Sequence, residues 1–411
     1  MQTEQQMKLE YSSKRKLINP PFRLLWIGRF ISQLGDKLYL LALPWLVLEI
    51  SHSALYTAIT LSLEILPEIL FGPFIGVYVD QKSRKKLMIL ADWFRGILIL
   101  AITVLAYHEK IEIFHIYVVT FLLSGLTLLF DSSSQGYLSQ IVPKDLLVEA
   151  NANLTFVATL MRLVGPFLSG VFIGWIGAKG TIGLNGLSFI ISGIILSFLP
   201  NDSGYASEKM NVDKIIDDMK EGFHYLFHHQ ILFPIALFST FMNIGIYMVS
   251  TLFIFQSKEV LGYGPEQTST IFWVSGIVAT LTTLNLKHLK NVLTKGKMIR
   301  LGSIGVFLAI LLLVLNQSLV TFTLSYSLLL MIGIIVNVNM MAYRQEIIPP
   351  HLFGRVMTSS RVLVNLFSPV AMIVAGWIAT TFSAQWVFHI AAFIIFINIL
   401  YSWFGRLRMI K

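Results

Sequence analysis

Cysteine is absent from this chain, and charge is scarce. The first absence excludes disulfides, thiolate metal sites and thiol catalysis. The second excludes a mostly water-facing surface: 13% of the 411 residues are charged, against about 25% in soluble domains. No Gly-rich phosphate-cradling loop is present, so the chain is not an ATP-driven pump by its own means. No Ser-His-Asp constellation and no metal-ligand spacing stands out. What remains is apolar. Hydrophobic residues make up 55% of the chain, and the mean hydropathy is +0.72. Several runs reach the roughly 20 residues needed to cross about 30 Å of hydrocarbon. Phe-, Leu- and Ile-rich runs with scattered Gly and Pro fit helices, whereas barrel strands alternate with a period of two. The chain reads as an all-α polytopic membrane protein.

Twelve spans are expected, over 22–49, 54–79, 87–107, 112–135, 147–175, 180–199, 230–256, 266–287, 297–315, 318–342, 357–380 and 384–405. Their connections alternate in charge. Cations collect in the N-terminal tail (Lys14, Arg15, Lys16), after span two (Lys82, Arg84, Lys85, Lys86), after span eight (Lys287, Lys290, Lys295, Lys297, Arg300), after span ten (Arg344, Arg355) and at the C-terminus (Arg406, Arg408, Lys411). The intervening loops are short and poor in cations. The positive-inside bias therefore expects both termini in the cytoplasm of a cell-membrane protein. It also accounts for the net charge of +9 without a nucleic-acid partner. The polar start lacks a signal-peptide cleavage site, so the N-terminus is expected to be retained.

Residues 200–229 form a longer polar connection. Val212, Ile215, Ile216, Met219, Phe223, Leu226 and Phe227 share one helical face, which predicts an amphipathic helix at the cytoplasmic interface. It divides the chain into a tail (1–21), a six-helix bundle (22–199), the linker helix (200–229), a second six-helix bundle (230–405) and a short tail (406–411). The halves look related. Pro143 with Pro349, Leu146 with Leu352 and Gly170 with Gly376 all share one offset. Weak repetition at half-chain length is the signature of a parallel-repeat transporter.

The stretch GVYVDQKSRKK (76–86) resembles the motif of the major facilitator superfamily between spans two and three, usually Gly-x-Leu-x-Asp-Arg-x-Gly-Arg-Lys-Lys. Gly76, Asp80, Arg84 and Lys85 stand where the family has them, while Tyr78, Gln81 and Ser83 depart from it. FGPFIGVYVDQKSRKKLMILAD, VPKDLLVEANA and IIPPHLFGRVMT are similar to the branch containing macrolide-efflux proteins and the enterobactin exporter. The resemblance implies the major facilitator fold, with twelve helices in two six-helix pseudo-repeats. It also implies that Asp80 faces the start of span eleven when the transporter is outward-facing. Arg84 is expected to reach Asp80 and Asp131, making a latch between the halves. Gly72 and Gly76, four apart, suggest close packing against span eleven.

Ionisable residues inside spans are costly and are functional hypotheses by default. Span one carries Arg29, Asp36 and Lys37; span two Glu64 and Glu68; span three Asp92 and Arg95; span five Arg162. A carboxylate removed from water is disfavoured in its charged form, and a nearby cation restores it. Asp36 or Glu64 against Arg162 is therefore expected to form a proton-sensitive pair, with a static ion pair as the plain alternative. Gly165 and Pro166 in RLVGPFLSG partly resemble the bend motif of exporter branches; a packing kink is the other reading. Tyr247 and Trp273, with Trp45 and Phe241, are candidates for an aromatic pocket.

The function expected is secondary active efflux of a hydrophobic or amphiphilic small molecule by proton antiport and alternating access. Such a protein needs no cofactor beyond the proton gradient, is not an enzyme, meets substrate and membrane lipids, and is expected to act as a monomer. A lipid or lysophospholipid translocase and a non-transporting membrane sensor are the alternatives. An integral membrane enzyme predicts polar residues clustered at one membrane face, whereas these are spread along the first half.

Overall fold

A computed structural model describes residues 19–202, 212–289, 294–315 and 318–409. The tail cations Lys14–Lys16, Lys290 and Lys411 lie outside the described residues, as does part of the connection between spans six and seven. The spans are α1 (Pro20–Ser51), α2 (Ala54–Asp80), α3 (Arg84–Tyr107), α4 (Ile113–Ile141) and α5 (Leu147–Ser197), which holds two of them. The linker helix is α6 (Val212–His228). Then follow α7 (Leu232–Phe255), α8 (Pro265–Leu289), α9 (Lys295–Leu315) and α10 (Leu319–Ile347). Span eleven is made of α11 (Pro350–Asn365) and α12 (Ser368–Thr381), and α13 (Ala384–Phe404) is the last. Among the described residues no strand is present.

A helix of 51 residues would reach about 77 Å, far beyond a bilayer. The run Leu147–Ser197 is broken at Gly177, whose φ of 76° favours glycine. Residues 147–176 run away from the basic loops and residues 178–197 return. Small residues let these arms pack closely. A Cβ on Gly35 would stand 2.4 Å from Asn185 Oδ1, and one on Gly96 would stand 2.5 Å from Ile190 Cδ1.

The two halves meet closely at the face opposite the basic loops, called here the distal face. A Cβ on Gly376 would stand 2.4 Å from the Ala58 Cβ and 2.8 Å from the Ala54 carbonyl oxygen. A Cβ on Gly170 would stand 2.1 Å from the Ser269 Oγ and 2.8 Å from the Pro265 carbonyl oxygen. The Leu55 N–H donates to Thr380 Oγ1 (3.1 Å), and Lys258 Nζ donates to the Trp45 carbonyl (3.4 Å) while lying over its ring. His52 Nδ1 meets Glu259 Oε2 at 3.1 Å. The hydrophobic cores also exchange members here: Ala54 joins the second half's cluster and Ile254 the first half's.

At the basic face the same helices part. The expected close approach of Gly72 and Gly76 to span eleven is not made. A Cβ on Gly76 would meet nothing within 4 Å, and one on Gly72 would meet only Glu68 of its own helix. Both glycines line a cavity between α2 and α11. The linker helix is not simply laid on a membrane surface. It docks on α11, burying Ile215, Gly222 and Leu226, while Val212, Ile216 and Phe227 remain exposed. Arg355 of α11 pairs with Asp218 (3.0 Å) and Glu221.

Because the chain has no cysteine, paired cysteines report on the distal contact without background. Leu55→Cys with Thr380→Cys is expected to cross-link efficiently. Adding Gly376→Val, which overlaps Ala58, is expected to reduce the cross-linked fraction severalfold on gel analysis.

Candidate functional site

Among the described residues, cavities lie along the seam and inside the first half. The central one lies on the seam and is lined by residues of both halves. Lys37 and Glu64 enter it from the first half, Tyr247, Phe272 and Tyr326 from the second. Tyr326 is held edge-on by Phe253 (4.7 Å between ring centroids) and Phe272 (4.9 Å). The pocket is thus an apolar, aromatic wall facing one cation and one carboxylate. Of the aromatics expected here only Tyr247 lines it. Trp45 is buried beneath Lys258, and Trp273 packs on Phe167 at 5.5 Å.

A second cavity lies within the first half, where Asp36, Lys37, Arg95, Asp131 and Arg162 converge from α1, α3, α4 and α5. Two of these charges, Arg95 and Asp131, are committed. Arg95 pairs with Asp92, both are buried, and the guanidinium lies 4.2 Å from the Phe189 ring centroid and 4.6 Å from that of Phe130. Asp131 pairs with Arg29 (3.2 Å), and Arg29 also donates to Ser134 Oγ (2.9 Å). Among the described residues neither Asp36 nor Glu64 has an ion-pair partner within 4 Å. The expected pairing of Asp36 or Glu64 with Arg162 is therefore not formed. Arg162 lines the Asp36 cavity, but its side chain is exposed.

The third cavity holds Glu68 and Arg361, 3.5 Å apart across the seam, with Asn365 beside them. Glu68 is thus occupied by the second half's main intramembrane cation. The pair is half exposed, and exposed pairs contribute little stability. Its interest is that it joins α2 to α11.

The basic motif is organised differently from the expectation. Arg84 donates to Asp80 Oδ1 (2.7 Å) and to the Gly136 carbonyl (3.2 Å), but not to Asp131, which Arg29 has taken. Asp80 itself is exposed, and its ion pair is with Arg84 rather than with span eleven. Lys85 donates to the Leu199 carbonyl at the end of α5, so it is more than a topology anchor. Asp202 was missed in the sequence. It accepts from Ser83 Oγ and the Arg84 N–H, each at 2.6 Å, at the N-terminus of α3. Its signal was an acid just past a span, facing a helix start that favours an anion.

Gly165 and Pro166 remain inside a helical stretch, and the non-helical backbone of α5 falls at Gly177 instead. Gly165 is small because Lys37 crosses it: a Cβ there would stand 2.2 Å from Lys37 Cβ. Pro166 lines the central cavity. Lys37, visible in the sequence as a lysine within a span, is the charged residue whose place at the site was not anticipated.

Ten helices among the described residues are long and apolar enough to cross a membrane, one of them the double run through α5. With α1, which carries Arg29, Asp36 and Lys37, they make a twelve-helix, two-half fold around a central cavity. The sequence profile of the Major Facilitator Superfamily matches residues 25–366. The chain belongs to that family and is a multi-pass membrane transporter. It is 23% identical over 364 residues to macrolide efflux protein A of Streptococcus pyogenes, covering 87% of this chain and 89% of that one. It is 24% identical over 226 residues to the MFS-type transporter YvqJ of Bacillus subtilis (strain 168), spanning about half of each protein (54%). The crystal structure of a bacterial homologue of the iron transporter ferroportin in an inward-facing state superposes with a TM-score of 0.76, 15% identity and coverage of 94% of this chain and 98% of that one.

Removing Asp202 takes an anion from two donors at a helix start. Loss of such a cap costs about 0.5–2 kcal/mol. Asp202→Ala is expected to lower the apparent Tm in detergent, and Asp202→Asn to lower it less.

Proposed function

We propose that the protein is a proton-coupled exporter of hydrophobic or amphiphilic small molecules, set in the cell membrane with its basic face and both termini in the cytoplasm. The observation that carries this reading is the pair of mid-span carboxylates, Asp36 and Glu64, that face cavities without an ion-pair partner among the described residues. A static packing role would predict paired charges, as at Asp92–Arg95. An unpaired carboxyl can carry a proton through one half of a transport cycle and release it in the other.

Kinship supports the direction, and the shape is compatible with it. The halves touch at the distal face and part at the basic face, so in this arrangement the seam is open toward the cytoplasmic side. The relation to macrolide efflux protein A covers most of both chains and favours export. The aromatic wall of Tyr247, Phe272 and Tyr326 suits an apolar body. Rocking the halves would separate Gly376 from Ala58 and bring Gly72 and Gly76, now facing open space, toward span eleven. A single chain contains both halves and works alone, with the proton gradient as its energy source.

Reconstitution in liposomes with an imposed pH gradient tests the reading. Uphill movement of erythromycin or a lipophilic cation is expected in the wild type. It is expected to fall to the level of empty liposomes in Asp36→Asn and in Glu64→Gln. If these two and Glu68→Gln all keep pH-driven transport, proton coupling through these carboxylates is wrong.

A further inference from the structure

Lys37 is the one lining residue common to the central cavity that holds Glu64 and the inner cavity that holds Asp36. Its stem is fixed where it crosses Gly165, so the Cβ and Cγ cannot shift far. Beyond them the ammonium is free to turn, since lysine is a point charge on a flexible stem. Among the described residues it has no hydrogen-bond or ion-pair partner within bonding distance.

The surrounding groups leave this role to Lys37. Around Asp36, α3 presents Arg95, committed to Asp92, and α4 presents Asp131, committed to Arg29. Arg162 of α5 lines the Asp36 cavity but not the central one, so it cannot serve Glu64 as well. Around Glu64, the other polar groups lining the cavity are Lys37 of α1, Tyr247, Ser250 and Thr251 of α7 and Tyr326 of α10, and of these Lys37 alone is cationic.

We propose that Lys37 serves Glu64 and Asp36 in turn, and that the central cavity therefore takes hydrophobic molecules carrying one basic amine or other fixed cation. With the cavity empty, Lys37 sits toward Glu64 and Asp36 holds a proton. A ligand cation seated at Glu64 displaces the ammonium, which turns to Asp36. The Asp36 O–H bond then breaks, the proton leaves to water, and the bonding electrons stay on the carboxylate that Lys37 now neutralises. One positive charge enters and one leaves. The two cavities keep their net charge, as a weakly solvated interior requires. The apolar body of such a ligand lies on Phe272 and Tyr326, whose faces also attract a cation. A neutral ligand gives Lys37 no reason to move. This inference rests on the proton-antiport reading and adds to it a ligand class and the residue that joins ligand to proton.

The test uses the full chain in detergent, tetraphenylphosphonium as probe and triphenylphosphine oxide as its uncharged counterpart. Binding is followed by calorimetry and proton release by an indicator in weak buffer. The wild type is expected to prefer the phosphonium and to release about one proton for each cation bound, as charge balance demands. Asp36→Asn is expected to lose the release and to bind the phosphonium more weakly, because the displaced ammonium then has no carboxylate to neutralise. Combining Lys37→Gln with Asp36→Asn is expected to restore the release, because Glu64 without its cation then holds the displaceable proton. Glutamine keeps the atoms that pack on Gly165, and Lys37→Arg, which keeps the charge, is expected to leave release dependent on Asp36. A merely structural lysine predicts no restoration. Undiminished release in Asp36→Asn overturns the relay. Equal binding of the phosphine oxide, or no binding of the phosphonium, overturns the ligand class. Phosphonium binding to the wild type with no proton release overturns the antiport reading itself.

Discussion

Two glycines set the shape of this molecule. Gly170 and Gly376 stand at equivalent positions of the two halves, and each lets its helix touch the second span of the opposite half. The contacts are backbone-close, so the distal ends of α2 and α12, and of α5 and α8, behave as joined. From Ala58 to Gly76 along α2 is about 27 Å of rigid helix. Joining such rods at one end while filling the space between them elsewhere with bulkier side chains forces them apart at the other. The open seam beside Gly72 and Gly76 is the geometric consequence of the contact at Gly376. The weak internal repeat in the sequence thus has a direct physical meaning: it records two copies of one inter-half contact.

The scaffold is pseudo-symmetric, but its chemistry is not. Nearly all the intramembrane charge sits in the first half. There it divides into a committed set and a free set. Asp92–Arg95 is enclosed by Phe130 and Phe189 and supported by Thr127. Opening it would strand a charge in a poorly solvated interior, which is strongly unfavourable. That pair can hold helices but cannot easily change state. Asp36, Glu64 and Lys37 face cavities, so water or a ligand can compensate whichever of them is charged. The second half answers with aromatic rings and amides, such as the Asn243–Asn365 hydrogen bond at 3.1 Å. One half sets its ionisable groups at the cavities while the other supplies an apolar wall.

The fold was legible because a bilayer leaves so few options: length, hydropathy and loop charge determine most spans. The boundary between spans five and six was expected between residues 175 and 180, and it is a single glycine break inside one continuous run at Gly177. Partner choice was much less legible. Residues three or four apart share a helix face, so Arg84 with Asp80 could be read directly. Whether Asp131 meets Arg84 or Arg29 depends on how α1, α3 and α4 rotate about their axes, and no local pattern encodes that. The same holds for Glu68 with Arg361 and for Arg162, which looked like a counter-ion by depth alone. Small residues were ambiguous for a related reason. Gly72 and Gly165 both permit close approach, yet only Gly165 has a neighbour in this arrangement.

The basic motif gains a different meaning from its partners. Arg84, Lys85 and Ser83 are all answered from within the first half: by Asp80, by the Gly136 and Leu199 carbonyls, and by Asp202. Together they tie the ends of α2, α3, α4 and α5 into one unit. At the same face the second half is tied separately, through Arg355 to the linker helix. Two internally braced bodies, touching at the far end and held here by the exposed Glu68–Arg361 pair, can move as rigid units. The strong contacts at this face lie within bodies and the weak one lies between them. In the proposed transport cycle, that division of strength would let a small difference in ligand or proton binding select one arrangement over the other, because little else at this face joins the halves among the described residues.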